Sequence, residues 1–268
     1  MLVKPRFLLL LLFTIAFLQF ADAAFEIEHL GTRAVGIGGI RAIADEHSRG
    51  LISNPIGALT VNKFTAGVTH QNLFSSWASL NGFNASFHNK MGAFSCGYLE
   101  LSQEELSYRE KLININYATK VRRLSLGLGL QVTKMIHRYG GGDGKSLNVA
   151  MQFDVNPRYK LGILATSAIS KNNYETGNTD KKPTVISLGN SVDITEDTNF
   201  KLEIVNKTGL RLGVEKLLGK NFIIRGGVNE HSTPTFGFTL QKDKLCFEYS
   251  LLMNEGGYSS LLSIMTNL

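Results

Sequence analysis

The sequence predicts an all-β protein: an antiparallel transmembrane β-barrel of about 14 strands. Three observations lead to this fold class. Apolar and polar side chains alternate with a period of two from Asn62 onward, the connections between these runs alternate in length, and a glycine-rich stretch precedes the first run. Charged residues make up 19% of the chain and glycines number 27, so charge is lower and glycine higher than in typical soluble domains.

The first 23 residues have the features of a secretory signal peptide. Lys4 and Arg6 give a basic start, Phe7 to Phe20 form an apolar run of 14 residues, and Ala21-Asp22-Ala23 offers a cleavage site of small residues. A retained membrane anchor is the alternative, but the run is shorter than the ~20 residues that a spanning helix needs. We therefore expect an exported protein whose mature chain begins at Ala24.

The clearest strand lies in "RLSLGLGLQVT". Leu124, Leu126, Leu128, Leu130 and Val132 fall on one face, and small or polar residues fall on the other. A helix would spread these leucines around its axis, so strict alternation indicates a strand with two unlike environments. The same pattern predicts thirteen further strands, near residues 62–70, 80–89, 91–101, 107–119, 147–155, 159–170, 183–193, 198–206, 210–215, 222–229, 235–241, 245–251 and 257–267.

The connections favour a closed barrel in an outer membrane. Short turns such as "HNK", "KVR" and "NPR" alternate with longer predicted loops such as "HRYGGGDGK" (137–145) and "KNNYETGNTDKK" (171–182), which is typical of outer-membrane barrels. An even strand number lets the last strand pair with the first and leaves no edge.

A soluble exported β-barrel or sandwich that binds a ligand is the alternative fold. It would alternate in the same way, but with its apolar face inward. The polar face favours the membrane, because it carries Arg211, Glu215, Arg225 and Glu248, the candidate lumen charges. Fourteen strands also exceed an ordinary sandwich.

The motif search predicts no catalytic, cofactor-binding or metal-binding residues. Gly36, Gly38 and Gly39 miss the G-x-G-x-x-G spacing of a dinucleotide site, and Tyr139 stands where a phosphate loop before Gly144-Lys145-Ser146 needs its first glycine. The histidines are scattered, and no G-x-S-x-G elbow occurs. We therefore expect a protein that is not an enzyme and has no cofactor.

Charge and cysteine content add little to this prediction. The formal charge of +6 is spread along the chain, which favours a solvated surface over a nucleic-acid partner. Cys96 and Cys246 lie 150 residues apart with no second pair, and their spacing leaves a disulfide and two free thiols equally open.

The stretch before the first strand resembles the N-terminal segment of the FadL-like outer-membrane barrels, especially the PorV/PorQ-type branch. The resemblance is carried by "GTRAVGIGGI" from Gly31, then Asp45, then "NPIGAL" from Asn54. The strands containing Gly213-Val214-Glu215 and Arg225-Gly226-Gly227 resemble the closing strands of the same family. The resemblance therefore extends over most of the mature chain.

The resemblance implies three regions: a signal peptide at 1–23, a plug or hatch at 24–61 and a barrel at 62–268. The residues expected to shape the plug are Gly31, Arg33, Gly36, Gly38, Gly39, Asp45, Asn54, Pro55 and Gly57. Glycine allows close backbone approach in a confined lumen, and residues 38–47 are expected to form a short helix. Arg33, Arg41 and Asp45 are expected to pair with lumen charges such as Glu215 and Arg225.

Two functions follow from the resemblance, and both place the protein in the outer membrane of a Gram-negative-type cell, in contact with its lipid. One is a passive conduit for small hydrophobic molecules, as in FadL. The other is a structural or adaptor barrel that serves a secretion-system protein, as in the PorV type. The predicted strands use most of the chain and leave little for the long extracellular loops with which FadL transporters capture fatty acids.

Overall fold

The computed structural model describes residues 31–44, 54–61, 63–138, 140–206, 208–254 and 257–267. Two short helices precede the sheet: α1 (Thr32–Gly36) and a 3₁₀ helix (Pro55–Thr60). The strands follow in chain order: β1 (Phe64–Leu73), β2 (Ala78–Asn89), β3 (Gly92–Gln103), β4 (Tyr108–Val121), β5 (Leu124–His137), β6 (Gly140–Asn156), β7 (Tyr159–Tyr174), β8 (Thr179–Asp180), β9 (Val185–Asp193), β10 (Thr198–Val205), β11 (Gly209–Leu218), β12 (Phe222–Val228), β13 (Pro234–Lys242), β14 (Leu245–Asn254) and β15 (Gly257–Asn267).

The strands form one closed antiparallel sheet. Thirteen of the ladders join strands that follow one another around the wall, and the pairing of β1 with β15 completes the ring. The two-residue strand β8 pairs only with the tip of β7, so fourteen strands make up the wall. The predicted fourteen-stranded antiparallel barrel is confirmed. No helix within the described residues has the length and apolar character to cross a membrane.

The two faces of the wall differ in the way that a membrane barrel requires. On β5, Leu126, Leu128 and Leu130 point outward and are 42 to 53% exposed, whereas Ser125 on the other face is buried. The same division holds around the wall, where large apolar side chains are exposed outward and Ser, Thr, Asn and charged side chains are buried inside. Exposed apolar side chains over a whole barrel surface are costly in water and favourable in lipid. The inner face of the described strands is therefore mainly polar, unlike the apolar inner face that the soluble alternative requires.

The wall is taller on one side. Strands β4 to β7 have 14 to 17 residues, whereas β9 to β13 have 7 to 10. We call the end where β1 begins and β15 ends the terminal end, and the opposite end the far end. Residues 137–145, predicted as a loop, belong almost entirely to β5 and β6 at the far end. Their glycines pair in register with β5, so a run that suggested flexibility extends the sheet instead.

The segment ahead of the barrel lies inside it. We call residues 31–44 and 54–61 the inner segment; all of its described residues are buried except Gly31, Leu59 and Thr60, which are partly exposed. Its helix α1 ends because Gly38 and Gly39 adopt φ of 79° and 83°, which glycine tolerates best. The short helix expected over 38–47 is therefore wrong for residues 38–44, and residues 45–47 lie outside the described chain.

Candidate functional site

The inner segment follows the inner wall from strand to strand. Helix α1 packs against β13 and β14. The backbone N–H of Gly38 then donates to Thr235 on β13 at 2.9 Å, and that of Ala44 donates to Gln152 on β6 at 2.9 Å. The 3₁₀ helix completes the path against β2 to β6. The described parts of the segment therefore touch most of the circumference of the lumen.

A buried carboxylate on β11 is the hub of the charges that hold this segment. Glu215 accepts hydrogen bonds from Arg33 of the inner segment, one of them at 2.8 Å from Nε. It also accepts from Lys201 Nζ and Arg225 Nε, each at 2.7 Å. All four side chains are at most 5% exposed. Removing one partner from such a buried group leaves uncompensated charge, which is strongly destabilising.

A second group of charges lies closer to the far end. Glu203 accepts from the backbone N–H groups of Arg41 and Ala42 at 2.7 and 2.6 Å. Arg211 donates to the carbonyl of Gly39 at 2.8 Å and to Glu203 at 3.1 Å. Strand charges thus bind the segment through its backbone as well as through Arg33.

Arg211 is itself held by a carboxylate outside the strands. Glu230, in the connection between β12 and β13, accepts from Arg211 Nε and Nη2 at 2.6 and 2.7 Å. Burial disfavours the charged carboxylate, but the hydrogen bonds and positive charge of Arg211 outweigh it and lower the pKa of Glu230. The bidentate pair fixes the guanidinium that grips Gly39.

Glycines on the wall face glycines on the segment. Gly213 and Gly227 are opposite each other in the β11–β12 ladder, and Gly38 lies against them. A Cβ on Gly38 would come within 2.6 Å of the carbonyl oxygens of Leu212 and Val228, and a Cβ on Gly213 within 2.5 Å of that of Ile37. Real Cβ atoms do not approach this closely, so side chains on either partner would push the segment off the wall.

This register gives a physical meaning to the two closing motifs found in the sequence. Glu215 is directly opposite Arg225 in the same ladder. The glycine pair provides space for the inner segment, and the charged pair, two residues further along, provides the contact for Arg33.

The remaining candidate plug residues have varied surroundings. Gly31 precedes α1, and a Cβ on Gly36 would meet Ser250 at 2.8 Å. Asn54 caps the 3₁₀ helix, accepting from Ile56 N–H at 3.0 Å, and its side chain donates to the Arg41 carbonyl at 2.7 Å. Pro55 packs against Gly127 on β5, and Gly57 is buried. Asp45 lies outside the described residues. Glu248 faces Arg225 at 3.8 Å rather than the segment.

Lys201 and Glu203 are functional candidates that the sequence reasoning missed. Both point inward from β10 and are at most 1% exposed. The signal was available, because "KLEIV" alternates charged and apolar residues as clearly as β11 does.

An apolar area on the inner wall was also not foreseen. Ala78, Leu80, Leu99, Leu101 and Leu112 form a buried cluster on β2 to β4, with Leu73 and Tyr108 packed against it. We call this the inner apolar patch. It sits toward the far end, where the outward residues of β3 change from Phe94 and Tyr98 to Glu100. There the alternation inverts, so that apolar side chains face the lumen.

Metal and disulfide chemistry do not enter this site in the part of the chain that the structure describes. No group of three or more His, Cys, Asp or Glu side chains is placed to hold a metal ion there. Cys96 points outward and Cys246 is buried, and no disulfide joins these two cysteines.

Comparisons with known proteins identify the fold. No family model matches the chain, and no curated protein matches it. The toluene transporter TbuX of Ralstonia pickettii superposes with a TM-score of 0.64 at 10% identity, over 91% of this chain and 100% of that one. The toluene transporter TodX of P. putida gives 0.63 at 8% identity, over 88% and 97%. A Pseudomonas aeruginosa FadL homologue gives 0.58 at 9% identity, over 89% and 98%. At these identities the likeness establishes the fold alone: the chain has the fold of the FadL-like barrels.

Proposed function

We propose that this protein is an outer-membrane barrel that passes small hydrophobic molecules without any chemical step. The observation that carries the proposal is the inner apolar patch. Leu80, Leu99, Leu101 and Leu112 face the lumen at the far end, on a wall whose inner face is otherwise mainly polar.

The patch offers what a hydrophobic solute needs on entry. Burial of apolar surface is worth ~25 cal/mol per Å², and the four buried leucines of the patch are at most 6% exposed, so a small ring in contact with them gains little, binds weakly and leaves readily. The structural likeness agrees, since TodX and TbuX are toluene transporters and TodX is a monoaromatic hydrocarbon channel. We extend that class of solute, a small uncharged hydrocarbon, to this barrel.

In this proposal the inner segment acts as the plug. It is held by Glu215, Glu203 and Arg211, so a solute must displace it or leave sideways. A sideways exit has a candidate position in β7, where the ladder with β6 shifts register between Ala165 and Ile169. The ladder with β9 ends at Thr166, so beyond this residue β7 pairs with β6 on one side and only with the two-residue strand β8 on the other.

The test measures uptake of radiolabelled toluene by intact Gram-negative cells that produce the protein in their outer membrane. Cells with the wild-type barrel should accumulate toluene several times faster than cells without it. Leu101→Asn with Leu112→Asn should abolish most of this gain. Leu106→Asn, in the exposed connection at the same end, is the matched control and should change nothing. Equal uptake by the double variant and the wild type would overturn the proposal.

A structural or adaptor barrel of the PorV type is the second candidate. It is supported by the far-end connections 74–77 and 104–107, which are only four residues long, and by the many contacts that fix the inner segment. Wild-type cells that assemble the barrel fully but take up toluene no faster than empty cells would favour this candidate.

A further inference from the structure

Three lysines stand on the outer wall where its apolar surface ends. Lys134 follows Val132 on β5, Lys145 precedes Leu147 on β6, and Lys171 follows Ile169 on β7. All three are exposed, and the outward residues on the terminal side of them are apolar. The lysines therefore lie at the far-end border of the lipid-facing surface, which on β5 continues to the exposed Ile136, at the depth of lipid headgroups.

The pairing of these strands brings the positive charges together. Lys145 is directly opposite Lys171 in the β6–β7 ladder, and Lys134 is directly opposite Lys111 in the β4–β5 ladder. Like charges that face each other across strands are destabilising. Such pairs lower the stability of the folded barrel unless an anion lies between the two charges.

Acidic neighbours leave most of this charge uncompensated. Glu100 pairs with Arg109 at 3.2 Å and with Lys111 at 3.8 Å. Asp143 is opposite Lys134 in the β5–β6 ladder. Within the described chain, Lys134, Lys145 and Lys171 form no ion pair. The three lysines therefore face the membrane surface without an ion pair of their own, although Asp143 is opposite Lys134 and Asp180 is opposite Asn172, the residue after Lys171.

We infer that Lys134, Lys145 and Lys171 form a binding site on the outer wall for the phosphate groups of an anionic lipid in the far-end leaflet. The inference rests on the proposed membrane location but not on transport. Neighbouring apolar side chains contact the acyl chains, and the ammonium groups contact phosphate, because basic residues beside an anionic lipid surface are attracted to it. The position of the lysines against the apolar surface favours a lipid over a free anion, because a soluble anion gains nothing from the adjacent Val132, Leu147 and Ile169.

The site lies on the side of the wall that is built from the longer strands β5 to β7. The outward residues of β13 and β15 toward the far end include Phe236 and Tyr258, so no equivalent group of lysines interrupts the apolar surface on these strands. The site therefore orders lipid beside β5 to β7, the same side as the irregular ladder of β7.

The experiment is native mass spectrometry of the full-length barrel in detergent, titrated with bisphosphorylated lipid A, phosphatidylcholine or inorganic phosphate. The wild type should retain lipid A at least ~tenfold better than phosphatidylcholine. Substitution K134Q/K145Q/K171Q should remove that preference. The matched control K216Q/K220Q/K242Q changes three exposed lysines nearer the terminal end and should keep it.

The outcomes separate the sources of the anion. Equal retention of both lipids by the wild type, or unchanged lipid A binding in the triple variant, would overturn the site. Inorganic phosphate that competes at the concentration of lipid A would overturn the assignment to lipid. Heat-modifiable gel mobility checks that each variant is folded, and K145Q alone supplies the comparison if the triple variant is not. Failure of toluene uptake with intact lipid binding would affect only the proposed function.

Discussion

Replacement of Glu215 by Gln tests how the inner segment is held. The side chain keeps its size, but Arg33, Lys201 and Arg225 lose the carboxylate that they share. The barrel itself is held by backbone ladders that this change leaves intact. The expected effect is therefore local: the inner segment should leave the wall more often while the barrel remains closed.

The magnitude follows from the contacts. Loss of one member of a buried ion pair costs roughly 3–5 kcal/mol, and part of this cost falls on the two strand cations rather than on the segment. A share of ~3 kcal/mol for the segment corresponds to an increase of more than ~100-fold in its open population. Arg33→Gln should cost less, since Glu215 keeps two cations.

The assay is the labelling rate of Ala34→Cys in a C96S/C246S background. Ala34 is 1% exposed, so a polar maleimide reacts only when the segment opens. The control is Glu100→Gln, which removes the ion pair between Glu100 and Arg109 on the outer face. Its loss should change the labelling rate by less than about threefold. The double variant R33Q/E215Q should open less than the sum of its parts predicts. The reasoning is refuted if E215Q labels no faster than E100Q, or if the two changes are additive.

Three further outcomes are expected. Gly227→Ala should weaken the inner segment and lower the apparent melting temperature in detergent, because its Cβ would lie 2.5 Å from the carbonyl carbon of Ile37 in that segment; Gly226→Ala, with its nearest atom at 3.9 Å, should be neutral. The folded pKa of Glu230 lies below its ordinary value of 4.5, so its stabilising contribution is present above that pH and is lost as the pH falls through the lowered value. Wild-type labelling of Ala34→Cys should therefore accelerate in acid, and E230Q should be fast at neutral pH and lack that acid step. Leu128→Lys on the lipid face should destabilise the barrel in liposomes by ~2–4 kcal/mol in urea titrations, whereas Gln131→Lys in the lumen should cost little, and equal costs would contradict the assigned faces.

Part of the candidate site was predictable because it lies in regular strands. The alternation around Arg211, Glu215 and Arg225 places these residues on one face, and that face is polar. The same rule would have identified Lys201 and Glu203, so their omission was not a limit of the sequence. The inner apolar patch could not be predicted in this way. Leu99 and Leu101 alternate as regularly as the lipid-facing leucines, and only their position near the far end of β3 distinguishes them.

Two predictions from local sequence near glycines were wrong. "HRYGGGDGK" suggested a loop, but its backbone pairs with β5, because ladder hydrogen bonds outweigh the intrinsic flexibility of glycine. The helix expected over residues 38–47 is not formed at 38–44, since left-handed Gly38 and Gly39 turn the chain toward the β11–β12 pair.

By itself the sequence determined the strands, their number and the division of each strand into an apolar and a polar face, because side chains in a strand alternate with a period of two and the pattern needs no distant partner. The tertiary structure decided which face meets lipid, since a sandwich and a membrane barrel share that period. It also decided which charges meet: Arg33 lies 182 positions from Glu215 in the chain, and only closure of the wall around the inner segment brings them to 2.8 Å.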